Sequence, residues 1–244
     1  MNVTMNVHRG QLVIVHGRAG SGKSTLLGAL LGDVNKLSGD TYFDRGSKVA
    51  YCSQEPWLQT LSIRDNILFG SEFDEHKYWC VLDACCLVDD LQMLPDGDGT
   101  KVGPKGVNLS GGQKARIALA RACYADADVY LLDCPFSSVD AIVQSDIFTK
   151  CVVELLRFKT VVLVTHNPEI VSSTFADSVF RVDRLNVQQT VKPTLSKSVK
   201  VGLPNRQLHG QSLSPPWKRT SGSSSTEPNK HVTYSSLSLY ELPP

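Results

Sequence analysis

The chain has no long hydrophobic run. Its longest stretch without Asp, Glu, Lys or Arg is the 11 residues Gln207–Trp217, and that stretch is polar. A membrane-spanning helix needs about 20 apolar residues, so none is read from this sequence. The opening residues lack a basic segment followed by an apolar one, so no secretory leader is read there. Charge of one sign is not in excess either. The 25 Lys and Arg meet 24 Asp and Glu, a net charge of +1, which argues against a dedicated nucleic-acid binder. Aromatic residues make up 7% of the chain, and none precedes Gly17. The seven cysteines, at positions 52, 80, 85, 86, 123, 134 and 151, form no CxxC pair, and Cys80, Cys85 and Cys86 have no matching second pair. That spacing argues against a zinc site and suits free thiols in a reducing compartment, most of them in the core.

The 244 residues, 41% of them apolar, can bury one domain-sized core. The near-neutral average conceals a split. Residues 190–244 hold seven Lys/Arg against Glu227 and Glu241, together with 11 Ser and 7 of the 12 Pro. That is net +5, which leaves residues 1–189 at −4. The tail has no sustained apolar period with which to offset its ordering entropy. The composition therefore divides the chain into a globular domain, 1–187, and a basic, Ser/Pro-rich disordered linker, 188–244. Within the domain, Gln11–Val15 reads as a buried strand and Val49–Ser53 as a further short strand, while Val129–Leu132 and Val161–Val164 are apolar runs of the kind that form central strands of a parallel sheet, buried on both faces. Leu26, Leu27, Leu30 and Leu31 recur at helical spacing before Gly32, and helical patterns cover Lys114–Ala125 and Ile142–Phe158. The alternation predicts an α/β fold with a mostly parallel sheet and, over 56–100, a loop-rich helical insert.

Three segments carry phosphate chemistry. Gly17-Arg18-Ala19-Gly20-Ser21-Gly22-Lys23-Ser24-Thr25 fits GxxxxGK[ST] between a predicted strand and a predicted helix. The glycines let backbone amides wrap a phosphate, the helix N-terminus adds its positive end, Lys23 supplies a point charge and the Ser24 hydroxyl can ligate Mg²⁺. The glycines run GxxGxG, so the dinucleotide fingerprint is not met. Asp133 ends the apolar run Val129–Leu132, a position from which a carboxylate can hold the Mg²⁺ shell. Leu109-Ser110-Gly111-Gly112-Gln113 opens a helix with Ser110 as a candidate N-cap and two glycines that expose amides. One phosphate loop needs no second anion cradle 87 residues after Lys23, whereas a face-to-face dimer does.

With these residues in view, the chain resembles the ATP-binding cassette (ABC) ATPases, a branch of the P-loop NTPases. Leu109–Gln113 reads as their signature, Gln54 matches the Q-loop glutamine, Ser138-Val139-Asp140 the D-loop and His166 the switch histidine. The likeness covers about residues 7–183. Tyr51–Gln59, Arg64–Gly70 and Ala127–Asp133 are similar to the first cassette of subfamily C, the multidrug-resistance-associated exporters. The resemblance implies a cassette that binds Mg-ATP and pairs head to tail with a second cassette to power transport through membrane domains, at the cytoplasmic face of a membrane. It assigns the triphosphate to Gly17–Thr25, and Mg²⁺ and water to Ser24, Gln54 and Asp133. His166 would meet the γ-phosphate of its own site, and Ser110, Gly111, Gly112 and Gln113 would meet that of the partner's.

Two departures qualify what the resemblance implies. Where active members place a catalytic Glu after the Walker B aspartate, this chain has Cys134, so its own Walker site is expected to turn over slowly. The family's adenine-stacking aromatic precedes the loop, and no aromatic stands there, which points to an incomplete N-terminal strand region, a fragment, and weak nucleotide binding in isolation. The alternatives are a non-catalytic module clamped by ATP, which Cys134 favours, and a soluble ABC ATPase.

Overall fold

The computed structural model describes residues 3–35, 38, 42, 46–183 and 186–190, with the side chain of Lys105 excepted. The linker inferred from composition lies outside the described residues from position 191 onward.

The apolar runs become strands of one sheet: residues 12–15, 130–132 and 161–164 are buried on both faces, whereas the run at 49–52 is an edge strand with Val49 and Tyr51 exposed. The strands are β1 (Leu12–Gly17), β2 (Val49–Cys52), β3 (Val129–Asp133), β4 (Thr160–Val164), β5 (Ser178–Asp183) and β6 (Asn186–Thr190). They form one sheet in the order β2-β3-β4-β1-β5-β6, parallel except for β6, which runs antiparallel to β5. The sheet thus continues through Thr190, beyond the boundary read at 187. The first strand also runs further than its apolar stretch, because His16 and Gly17 pair in register with Arg181 and Val182 of β5. Val13, Val15, Leu131, Val162, Val164, Phe180 and Val182 form the core with Leu26 and Leu27.

Helix α1 (Lys23–Leu31) leaves β1 and ends at Gly32, whose left-handed conformation closes it. Between β2 and β3 lie α2 (Ile63–Leu68), α3 (Glu75–Ala84), α4 (Val88–Met93) and α5 (Gly111–Tyr124), which make up the expected helical insert and the helix that carries the signature. Helix α6 (Ala141–Ile147) connects β3 to β4, and α7 (Pro168–Ser172) connects β4 to β5. The pattern over Ile142–Phe158 predicts one α-helix. The structure instead widens after Ile147 into a π-helical run, Phe148–Leu155, closed by the Leu156 amide donating to the Cys151 carbonyl. The wider winding leaves Phe148, Cys151 and Val152 facing the interior.

Two arginines organise the insert. Arg64 of α2 grips Asp98 with two hydrogen bonds of 2.8 and 2.9 Å, and the buried Tyr78 hydroxyl donates to the same carboxylate at 3.1 Å. Arg121 of α5 donates to Trp57 O, Asn66 O and Asn66 Oδ1 and stacks on the rings of Trp57 and Phe69. The segment after β2 is thereby tied to the signature helix.

Asp98→Ala strips the Tyr78 hydroxyl of its acceptor inside the insert and should cost about 1–3 kcal/mol in urea unfolding. His16 gives a pH dependence of defined sign. Burial, Arg181 and Lys23 lower its pKa below the ordinary 6.5, so the unfolded chain takes up more protons. Its contribution to stability is complete above pH 6.5 and is lost on acidification below that value. His16→Gln should flatten the stability-against-pH curve between pH 7 and 5, as read by denaturant midpoints.

Candidate functional site

The site lies at the C-terminal edge of the sheet, where β1, β3 and β4 deliver their following loops. Gly17 ends β1 with φ +153°, and a Cβ there would stand 2.2 Å from the Val182 carbonyl oxygen, so no other residue fits. Gly20 and Gly22 also have positive φ, and Gly22 leads into α1 without a side-chain cap. The described helices α2, α3, α5, α6 and α7 are capped by Ser62, Asp74, Ser110, Asp140 and Asn167, whereas α1 and α4 are not. At α1 the missing cap leaves amides available for an anion. Arg18, Ala19, Gly20, Ser24 and Thr25 are exposed around that end, and Ser21 is buried.

Lys23 is only 6% exposed, and its ammonium donates to Gly17 O at 3.1 Å and Arg18 O at 2.8 Å. These are neutral partners for a buried cation. Asp133 is 2% exposed at the end of β3. Asp133 Oδ1 and Ser21 Oγ are buried with no hydrogen-bond partner. A buried carboxylate oxygen and a hydroxyl left unpaired, beside a cation held only by carbonyls, fit a metal-bound anion at this edge.

Cys134 follows in a left-handed conformation, φ 46°, with its amide donating to Val164 O at 3.1 Å. It packs among apolar side chains of the core. Burial and the adjacent Asp133 push its thiol up to about 11, so it is a neutral thiol at pH 7. His166, just beyond β4, is exposed. Burial of part of its ring and nearby Lys23 lower its pKa, against an opposing effect of Asp133, which leaves a neutral imidazole at pH 7. Lys23, Asp133, Cys134 and His166 are therefore within electrostatic reach of one another. Gln54 is exposed two residues past β2, whose Cys52 pairs with Leu132, at the same sheet edge.

At the signature, Ser110 caps α5 reciprocally with Gln113. Ser110 Oγ accepts from the Gln113 amide at 3.1 Å, and Gln113 Oε1 accepts from the Ser110 amide at 2.9 Å. Gly111 and Gly112 lie against Ser138, where a Cβ on Gly112 would come within 3.0 Å of the Ser138 carbonyl oxygen. Gln113 and Arg116 both bind Asp90 of α4. Motif reading misses Gln144. Its amide donates to Phe136 O at 3.0 Å and Val139 O at 2.7 Å, while its Oε1 accepts from Asn167 Nδ2. It thus joins the loop after Cys134 to the residue after His166. Its position four residues after the α6 cap Asp140 is the one sequence signal that places it on that helix face.

A family model described as "ABC transporter" matches residues 1–137. The chain is 52% identical over 167 residues to "ATP-binding cassette sub-family C member 2" of Mus musculus, covering 68% of this chain and 11% of that protein. It is 46% identical over 182 residues to "ATP-binding cassette sub-family C member 10" of Homo sapiens, covering 74% and 12%. It is 41% identical over 213 residues to "ABC transporter C family member 9" of Arabidopsis thaliana, covering 85% and 14%. The aligned region is thus a small part of each relative's length. A match over more than half of the chain, together with a mostly parallel sheet whose first strand runs into the GxxxxGK[ST] segment, places this chain in the ABC transporter family.

Proposed function

We propose that the chain is an ATP-binding cassette that binds Mg-ATP, pairs head to tail with a second cassette and helps to drive export through membrane domains at the cytoplasmic face. The observation that carries this reading is the buried Lys23 ammonium, held by two main-chain carbonyls beside partnerless Ser21 Oγ and Asp133 Oδ1. An anion at the loop gives the ammonium a counter-charge that the carbonyls do not supply. Gly17 to Thr25 hold the triphosphate, and Ser24, Gln54 and Asp133 hold Mg²⁺ and orient water. Bound Mg²⁺ supplies Lewis acidity toward the phosphoryl oxygens. His166 contacts the far end of the triphosphate as a neutral imidazole. Ser110, Gly111, Gly112 and Gln113 present a pre-capped helix end to the partner's nucleotide. No described helix is long and apolar enough to cross a membrane.

Cys134 sets the rate. A neutral thiol turned into apolar surroundings does not polarise water, and losing a positioned general base costs about 10²–10⁴-fold. The same feature favours, as a second reading, a cassette in which ATP acts as a clamp without turnover. In a heterodimer whose second cassette supplies its own signature, Cys134→Glu should raise turnover at this chain's Walker site by about 10²-fold or more. Unchanged turnover with normal nucleotide occupancy would refute the role given to Cys134. Lys23→Ala should weaken Mg-ATP binding by about 10- to 100-fold in equilibrium titration, since a charge-assisted contact is lost. Unchanged affinity would refute the site.

A further inference from the structure

Cys85, Cys123 and Cys151 converge in the interior, away from the phosphate loop in sequence and unused by the cassette chemistry. Cys85 caps the C-terminus of α3, Cys123 lies in the last turn of α5, and Cys151 is in the π-helical run after α6. Their sulfur atoms all lie within 4.8 Å of one another, and Cys123 Sγ and Cys151 Sγ are 3.4 Å apart. All three are at most 5% exposed. Two thiolates bound to one ion at about 2.3 Å each stand roughly 3.8 Å apart, so the trio is already near the spacing of donors on a common centre.

We propose that this trio is a three-coordinate thiolate site for a soft trivalent metalloid, of the arsenic(III) type. The donor set selects the ion. No carboxylate or imidazole joins the cluster among the described residues, so hard cations have no oxygen ligands here. A structural zinc ion wants four protein ligands, and the cluster offers three. Charge completes the selection. Three thiolates leave a net charge of −1 with a divalent ion and −2 with a monovalent one, both costly in a dry interior. A trivalent centre leaves none. The uptake balances without oxidation or reduction: As(OH)₃ and three Cys–SH give As(S–Cys)₃ and three H₂O. Three As–S bonds form and three As–O bonds break, and each thiol proton leaves in a water molecule. Entry requires the α3–α5–π-helix junction to open locally, and the left-handed Cys86 next to Cys85 marks the turn at its edge. Occupancy ties α3, α5 and the π-helical run together by bonds that the metal-free protein lacks.

The test uses the reduced full chain and arsenite. One arsenic per chain should be bound, with native mass spectrometry giving the mass of As(III) less three protons, and the thermal midpoint should rise. Cys85→Ser, Cys123→Ser and Cys151→Ser should each weaken uptake at least tenfold, and Cys80→Ser should not. X-ray absorption of the wild-type complex should count three sulfur neighbours and no oxygen, which decides the matter even if a serine variant fails to fold. Two sulfurs and one oxygen, or loss of binding in Cys86→Ser with retention in Cys151→Ser, would overturn the proposal in favour of the adjacent Cys85–Cys86 pair. Tighter binding of Zn²⁺ than of arsenite would overturn the charge argument. A Cys123–Cys151 disulfide that forms in place of the complex under reducing conditions would also count against it.

Discussion

A buried ammonium whose partners among the described residues are main-chain carbonyls is the constraint around which this fold is arranged. Lys23 can occupy that position because Gly17 lets β1 run into the loop with its backbone pressed against Val182 of β5, a contact that no side chain permits. Leu26 and Leu27, one turn further on, pack α1 into the sheet's core and so fix the helix that carries the lysine. Asp133 reaches the same edge from β3 with one buried oxygen unpaired, the feature that the proposed Mg-ATP site would satisfy.

Hydrogen bonds link that edge to the rest of the domain. Gln144 bonds both the segment after Cys134 and Asn167 beside His166, so the loops after β3 and β4 are tied by one side chain. The signature glycines rest on Ser138 of the same segment, which connects α5 to it as well. Arg121, on the far end of α5, grips Trp57 and Asn66 after β2. These contacts join the loop after β2, the signature helix and the loop after β3 through hydrogen bonds that a shift at one end must strain at the other.

Much of the architecture was legible in the residues. The phosphate loop needs its glycines and lysine in fixed order, and β3 and β4 are continuous apolar runs because both of their faces are buried. The helix cap at Ser110 and the stop at Gly32 follow from local chemistry as well. What was hidden depends on partners distant in sequence. β6 reads as a polar segment and becomes a strand only because β5 offers it an edge. The π-helical run follows from packing Phe148 and Cys151 inward, which a 3.6-residue period does not anticipate. The thiol cluster joins positions 85, 123 and 151, which no short CxxC-type motif links, so the spacing that argued against zinc could not reveal it.

The central claim is that the edge built by Lys23, Ser21 and Asp133 is the nucleotide cradle. Amide hydrogen exchange across the whole chain, with and without millimolar Mg-ATP, tests it most directly. The account predicts the largest slowing at the amides of Gly20 to Ser24, with a smaller effect after Asp133 and at His166. Exchange that slows elsewhere while residues 20–24 stay unchanged would contradict it.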